Sequence, residues 1–271
     1  MNPFLKWAGG KRWLVTRPEF EIPEFTGRYI EPFLGGGAVF FHCRPAKALL
    51  SDINPRLIDT YQAIKSDWEA VLTWLKEHQD RHSNDYYYDT RKAWSSDLTE
   101  RGAQFLYLNR TCWNGLYREN LRGEFNVPKG TKNTIVFENE DLALLSAQLS
   151  SAELKCCDFS DAIATAGPGD FLFVDPPYTT AHNNNGFVKY NEGIFTWDDQ
   201  IRLRDSLALA AARGAKILMT NADHTSVREL YEDHADLIEI GRASVISGGS
   251  KGRGRTTELL ISNLGGKRVD A

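Results

Sequence analysis

Phe171-Leu172-Phe173-Val174-Asp175-Pro176-Pro177-Tyr178 breaks from four apolar residues straight into a carboxylate, two prolines and an aromatic ring. A short run rich in Phe and Val reads as a strand buried on both faces, as in a parallel sheet. Proline has no N–H to give to a ladder, so Pro176 and Pro177 end the strand. Asp175 and Tyr178 are thereby presented at the carboxyl end of a central strand, where open α/β sheets bind their ligands.

Other segments repeat the pattern of a buried strand followed by a polar or glycine-rich tip. Arg28-Tyr29-Ile30 leads into Glu31-Pro32-Phe33-Leu34-Gly35-Gly36-Gly37-Ala38-Val39, which predicts a strand, a glycine turn and a helix start. The turn is not G-x-G-x-x-G, so the dinucleotide fingerprint is absent. With Glu31 ahead of it, the turn suits a cationic or neutral cofactor better than a pyrophosphate. A second strand, 46–50, ends at Ser51-Asp52-Ile53-Asn54, where Asp52 is placed either to accept from ribose hydroxyls or to cap the next helix. A third, Leu154-Lys155-Cys156-Cys157, ends at Asp158-Phe159, an acid and a ring suited to an adenine or, equally, to a helix cap. Further strands are predicted at 216–220, 237–240 and 258–261, with helices at 139–149, 197–213 and 225–233. The last two strands form a terminal hairpin around the basic loop Lys251-Gly252-Arg253-Gly254-Arg255, a candidate for phosphate contact.

From residue 57 to 110 the periodicity turns helical: Leu57, Ile58, Tyr61, Ile64, Trp68, Val71, Leu72 and Leu75 recur at three- and four-residue intervals. This is too long for one crossover and reads as a helical insertion. It closes in an aperiodic stretch from Asn109-Arg110 through Trp113-Asn114-Gly115-Leu116-Tyr117-Arg118 and Arg122 to Lys132. Arginine, asparagine and aromatic residues in such a loop suit base edges and phosphates, although a solvated hairpin has the same composition. At the start of the chain, Lys6-Trp7-Ala8-Gly9-Gly10-Lys11 is a tight loop able to approach a ligand closely.

Composition constrains less. The 271 residues, 42% hydrophobic and 25% charged, suffice for one large α/β domain or a domain with an insertion. A net charge of −4 does not advertise a nucleic-acid binder, though a basic face can sit on an acidic chain. The four cysteines have no C-x-x-C spacing, and Cys156-Cys157 read as buried thiols. With no signal peptide and no bilayer-length apolar run, the expected location is cytoplasmic and no membrane partner is expected. No Cys/His cluster suggests a metal.

Taken in order, the lysine loop, the glycine turn, the insertion and Asp-Pro-Pro-Tyr resemble a Dam-type DNA adenine-N6 methyltransferase, over nearly the whole chain. The resemblance implies an α/β fold: a Rossmann-like methyltransferase sheet with a terminal β-hairpin and an inserted, mostly helical target-recognition domain. It divides the chain into a catalytic domain (1–56 and 136–271) and a recognition domain (57–135). It implies S-adenosylmethionine as cofactor, held by Trp7, Lys11, Glu31, Phe33, Gly35, Gly37, Asp52, Asp158, Phe159 and Asp175. Asp175, Pro176, Pro177 and Tyr178 would be catalytic. The partner would be double-stranded DNA, contacted by Lys6, Trp113, Asn114, Leu116, Arg118, Arg122, Lys251, Arg253 and Arg255, at a GATC-like target in a prokaryotic or phage-infected cell. Trp113 stands where the family usually has Tyr, and Glu119 where it often has Tyr. Alternatives are adenine methylation of RNA and a catalytically silent DNA-binding regulator of the same fold.

Overall fold

The computed structural model describes residues 3–120, 123–181, 195–243 and 255–263, apart from the side chains of residues 242, 243, 255 and 256. These residues belong to two compact units, Met1–Phe20 with Leu34–Cys156, and Glu21–Phe33 with Cys157–Ala271.

In the second unit β1 (Tyr29–Glu31), β4 (Phe171–Val174), β5 (Lys216–Ala222), β7 (Arg255–Ser262) and β6 (Asp236–Ala243) lie side by side in that order. β1 and β5 both run parallel to β4, which is buried along its whole length, as its unbroken apolar sequence predicts. Each of its four side chains contributes about 1.5–3 kcal/mol by leaving water. β7 runs antiparallel to both β5 and β6, the terminal hairpin expected from sequence. Asp170 fastens β1 to β4 from below: its carboxylate accepts from the Arg28 N–H at 2.7 Å and from the Arg28 guanidinium at 2.8 Å. Among the described residues this unit holds α6 (Phe159–Ala164), α7 (Trp197–Ala212) and α8 (Thr225–Tyr231). α7 opens on a capping box in which Thr196 and Asp199 satisfy each other's backbone N–H.

The first unit pairs β2 (Ala48–Asp52) with β3 (Ala152–Cys156) in parallel register. A 3-10 turn (Lys11–Thr16) and α1 (Ala38–Cys43) precede β2. α2 (Pro55–Arg81) then begins where Asn54 accepts from the N–H groups of Arg56 and Leu57, with proline in the first turn. Its buried face carries Leu57, Ile58, Tyr61, Ile64, Val71 and Leu75 of the predicted stripe, while Trp68 and Leu72 are half-buried. At Asp67 the backbone leaves helical geometry (φ −156°, ψ 75°), and the Asp67 carboxylate caps the second segment through the Ala70 N–H. α3 (Asn84–Lys92), α4 (Leu98–Thr111) and α5 (Leu142–Leu149) complete the unit.

Three expectations need correction. Arg110 and Thr111 are not loop but, with Asn109, the last turn of α4, and all three are buried. Arg110 is buried because carbonyls satisfy it: it donates to Ile135 O and Phe4 O and pairs with Glu140 at 2.6 Å. Cys156 is exposed and Cys157 half-buried, because the last residues of β3 face solvent. No disulfide joins the four cysteines. The strands and helices also run beyond or short of several predicted limits by a few residues, as at β6, β7 and α5.

Candidate active site

β4 delivers Asp175 at the tip predicted from its sequence. The Asp175 carboxylate accepts a hydrogen bond from the Thr220 hydroxyl at 2.7 Å, and Thr220 is itself buried in β5. Pro176 is buried beside it, and Pro177 and Tyr178 are half-buried. The Tyr178 hydroxyl donates to the buried Glu258 carboxylate of β7 at 2.7 Å. Burial, with the Asp175 and Glu258 charges nearby, pushes the Tyr178 phenol well above its ordinary pKa, so it stays a neutral donor. Two neighbouring strands thus hold the tip, one at each polar side chain.

A flat aromatic group lies in the same unit. Phe33 stacks on Phe159 at 5.2 Å and 25°, and both meet Phe195 edge-on or tilted at 5.7 Å. The Arg202 guanidinium lies over the Phe159 ring at 4.2 Å and forks onto Asp158 at 2.6 and 3.0 Å. Asp158 is also the N-cap of α6, accepting from the Ser160 N–H and hydroxyl. Arg202's hydrogen bonds, with those of Ser160, hold the Asp158 carboxyl down at about 2. Glu31 is buried and accepts from the Tyr29 hydroxyl at 2.8 Å.

The first unit holds the glycine turn. Gly35 has φ +46°, and a Cβ added there would come within 2.6 Å of Trp7 Cδ1, so only glycine fits against that ring. Gly37, at φ +63°, is the N-cap of α1, and a Cβ on it would meet the Tyr61 hydroxyl at 2.9 Å. Asp52 closes the turn by accepting from Gly35 N–H at 3.1 Å and Asn54 N–H at 3.0 Å. Burial raises the Asp52 carboxyl above its ordinary value, against those bonds. Asn54, not Asp52, caps α2. Lys11 is buried and its ammonium donates to Gly9 O at 2.8 Å, fastening the loop that carries Trp7.

Residues 112–120 and 123–130 of the same unit form an irregular hairpin, bridged at Cys112 with Lys129 and at Glu119 with Phe125. Trp113, Asn114, Leu116 and Arg118 are exposed, whereas Cys112 and Gly115 are buried and Tyr117 is half-buried. Asn114 (φ +59°) and Gly115 (φ +68°) are both left-handed, which turns Trp113 and Asn114 outward. Lys6 is exposed beside this turn; its backbone is clamped by Asn109, which accepts from Lys6 N–H at 2.9 Å and donates to Lys6 O at 2.8 Å. The neighbouring Lys132 ammonium lowers the Lys6 pKa. Arg122, Lys251 and Arg253 lie outside the described residues; Arg255 opens β7.

Thr220, Glu258, Arg202, Asn109 and Tyr117 were not singled out from sequence as site residues. Glu258 carried one signal, a carboxylate opening an apolar strand; the others carry none that stands out from ordinary composition. Among the described residues no group of His, Cys, Asp or Glu is arranged to hold a metal, and no helix is long and apolar enough to cross a membrane.

Parallel strands joined by helices, with an acid-tipped central strand and an antiparallel terminal hairpin, define a Rossmann-like methyltransferase. The family model for D12 class N6 adenine-specific DNA methyltransferase matches residues 7–246. The chain is 35% identical to the Type II methyltransferase M1.LlaDCHI of Lactococcus lactis subsp. cremoris, over 98% of this chain and 96% of that protein. It is 35% identical to the DNA adenine methylase of Vibrio cholerae (95% and 94% of the two chains) and 32% identical to that of Escherichia coli K12 (95% and 93%). The chain belongs to the D12 class N6 adenine-specific DNA methyltransferases, enzymes that move a methyl group from a donor to adenine in DNA.

Proposed function

We propose that the methyl donor is S-adenosylmethionine, that the target adenine is flipped out of duplex DNA, and that the recognised site is GATC-like. The observation that carries the reading is the Asp175 carboxylate at the β4 tip, oriented by Thr220 and followed by the buried Pro176.

The chemistry of the side chains fits such a donor. Asp52 spends two acceptor positions on Gly35 and Asn54, and a carboxylate offers about four, so capacity remains for ribose hydroxyls. Asp158 concentrates three of its bonds on Oδ1 and leaves Oδ2 with one, beside the aromatic face of Phe159. Glu31, Phe33, Trp7, Lys11 and the turn at Gly35 and Gly37 complete the proposed donor contacts. Bound there, the donor supplies a methyl group on a sulfonium.

An adenine amine is a poor nucleophile because its lone pair is delocalised into the ring. The Asp175 carboxylate accepting one N6–H and the Pro176 carbonyl accepting the other would hold the nitrogen as it becomes tetrahedral. These bonds strengthen as positive charge builds on N6, so they favour the transition state over the ground state. Tyr178, its hydroxyl anchored on Glu258, would stack on the flipped base, and Pro177 would shape the tip. Trp113 filling the vacated stack would offset part of the cost of flipping. Asn114, Leu116, Arg118 and Lys6 would address the bases; Arg122, Lys251, Arg253 and Arg255 would contact the DNA backbone. In this reading 57–135 is the inserted recognition domain, 1–56 and 136–271 are catalytic, and the enzyme works in the cytoplasm.

Asp175→Ala is expected to abolish labelled-methyl transfer to duplex DNA while donor binding, followed by calorimetry, largely survives; an active variant overturns the assigned role. Mapping modified adenines in DNA from expressing cells gives the target, and modification outside GATC-like sites would overturn that part of the proposal.

A further inference from the structure

Tyr117 projects inward from the hairpin whose outward residues are the proposed base contacts. Its ring stacks on Trp7 at 5.6 Å and 18°, and it packs against Phe105 and Phe125 at 4.9 and 5.4 Å. Its hydroxyl donates to the Glu119 carboxylate. The same Glu119 oxygen accepts from Arg56 Nη1 at 2.9 Å, and that guanidinium also donates to Gly123 O at 2.9 Å while lying over Trp94 at 4.4 Å. Arg56 stands in the first turn of α2, where its N–H is held by Asn54, and Asn54 N–H is held by Asp52.

A continuous path therefore runs within one unit. It leads from the Trp7 ring through Tyr117 and Glu119 to Arg56, and on to the Asn54–Asp52 turn. Both ends are residues read above as donor contacts, and the middle belongs to the hairpin read above as the DNA contact. We propose that Tyr117 and Glu119 are positioning residues for methyl transfer: they hold Trp7 and the Asp52 turn in the arrangement that binds the donor, so that donor affinity depends on the state of the hairpin that DNA engages. This rests on the donor and DNA assignments of the proposed function. Glu119 carries the path because one carboxylate oxygen accepts from both the Tyr117 phenol and the Arg56 guanidinium. By linkage, anything that shifts the hairpin by binding must shift donor affinity by the same factor in return.

The test uses the full-length protein and two conservative variants, Glu119→Gln and Tyr117→Phe. Gln keeps the size of the side chain but not its charge; Phe keeps the stack on Trp7 but not the hydroxyl. S-adenosylmethionine affinity is measured with and without a duplex containing the modified site, alongside kcat and the donor KM. The expected result is a wild-type donor affinity that changes when duplex binds. In Glu119→Gln that change is at least halved and the donor KM rises about tenfold, with kcat at saturating donor within about threefold of wild type. Tyr117→Phe shifts the same quantities in the same direction by less. Unchanged donor KM and an unchanged response to duplex in Glu119→Gln would overturn the inference while leaving the proposed function standing, because the wild type still methylates. A fall in kcat alone would equally overturn it. A wild type that neither binds the donor nor methylates duplex would overturn the proposed function itself.

Discussion

Replacing Thr220 by valine removes a single hydroxyl from a buried position and leaves the branched shape of the side chain in place. That hydroxyl donates to the Asp175 carboxylate at 2.7 Å. Hydrogen bonds to charged groups contribute about 1.5–3 kcal/mol, and Thr220 lies in the middle of β5, where relaxation is limited. If Asp175 must meet the N6 amine in one orientation, loss of its anchor is felt in the transition state. At ~1.4 kcal/mol per decade this predicts a fall in kcat of roughly 10- to 150-fold. The measurement is single-turnover transfer of labelled methyl at saturating donor and duplex, which isolates chemistry from binding. Thr220→Ser, which retains the hydroxyl, should recover most of the rate. A folded Thr220→Val enzyme within twofold of wild type would refute the reasoning, either because Thr220 does not orient Asp175 or because Asp175 is not the acceptor.

Arg118→Ala removes an exposed guanidinium that the Asn126 side chain holds at 2.9 Å. Across a panel of duplexes it should cost about 1–3 kcal/mol of discrimination at one base pair; a uniform loss at all positions would contradict a base contact. Asn109→Ala deletes two hydrogen bonds to the Lys6 backbone at a buried site, each worth about 1 kcal/mol. With the small cavity added, urea unfolding should report about 2–4 kcal/mol of lost stability, and a loss under about 1 kcal/mol would show that the clamp matters little. His78 is buried and its pKa is pushed down from 6.5 to about 4, chiefly by burial. The unfolded chain therefore takes up this proton first: the contribution to stability is intact above about pH 6.5 and is lost as pH falls towards 4, by up to about 3 kcal/mol. His78→Gln should flatten that part of the stability–pH profile, and an unchanged slope would refute the assignment.

What was legible in the sequence was local. The β4 run, the prolines that end it and the glycine turn each follow from rules spanning a few residues, and each stands where expected. What was hidden depended on partners far along the chain. Arg110 reads as a loop arginine because its sequence neighbours are polar, yet its partners are the Ile135 carbonyl, the Glu140 carboxylate and the Phe4 carbonyl, the last 106 residues away. Thr220 and Glu258 meet Asp175 and Tyr178 across 45 and 80 residues. Cys156 and Cys157 were misread because an apolar-looking strand end says nothing about whether another strand covers it. The Asp67 break is invisible to periodicity, since the stripe resumes on the same face beyond it.

The hairpin divides its residues between an exposed set and an inward, packed set. Trp113, Asn114, Leu116 and Arg118 face outward, so changing them alters what the surface contacts without disturbing the packing beneath. Gly115 and Tyr117 face inward and have no such latitude. A Cβ on Gly115 would meet Lys6 Cδ at 2.7 Å and Asn109 O at 3.3 Å, besides straining a backbone at φ +68°. Tyr117 is wedged among Trp7, Phe105 and Phe125. Alternate residues of one short stretch are therefore divided, the outward set exposed where the proposed base contacts lie and the inward set packed against the Lys6–Trp7 loop. Trp113, 53% exposed, belongs to the outward set. Glu119, by contrast, is tied to Arg56 and Tyr117, so a change at that position reaches the loop at once.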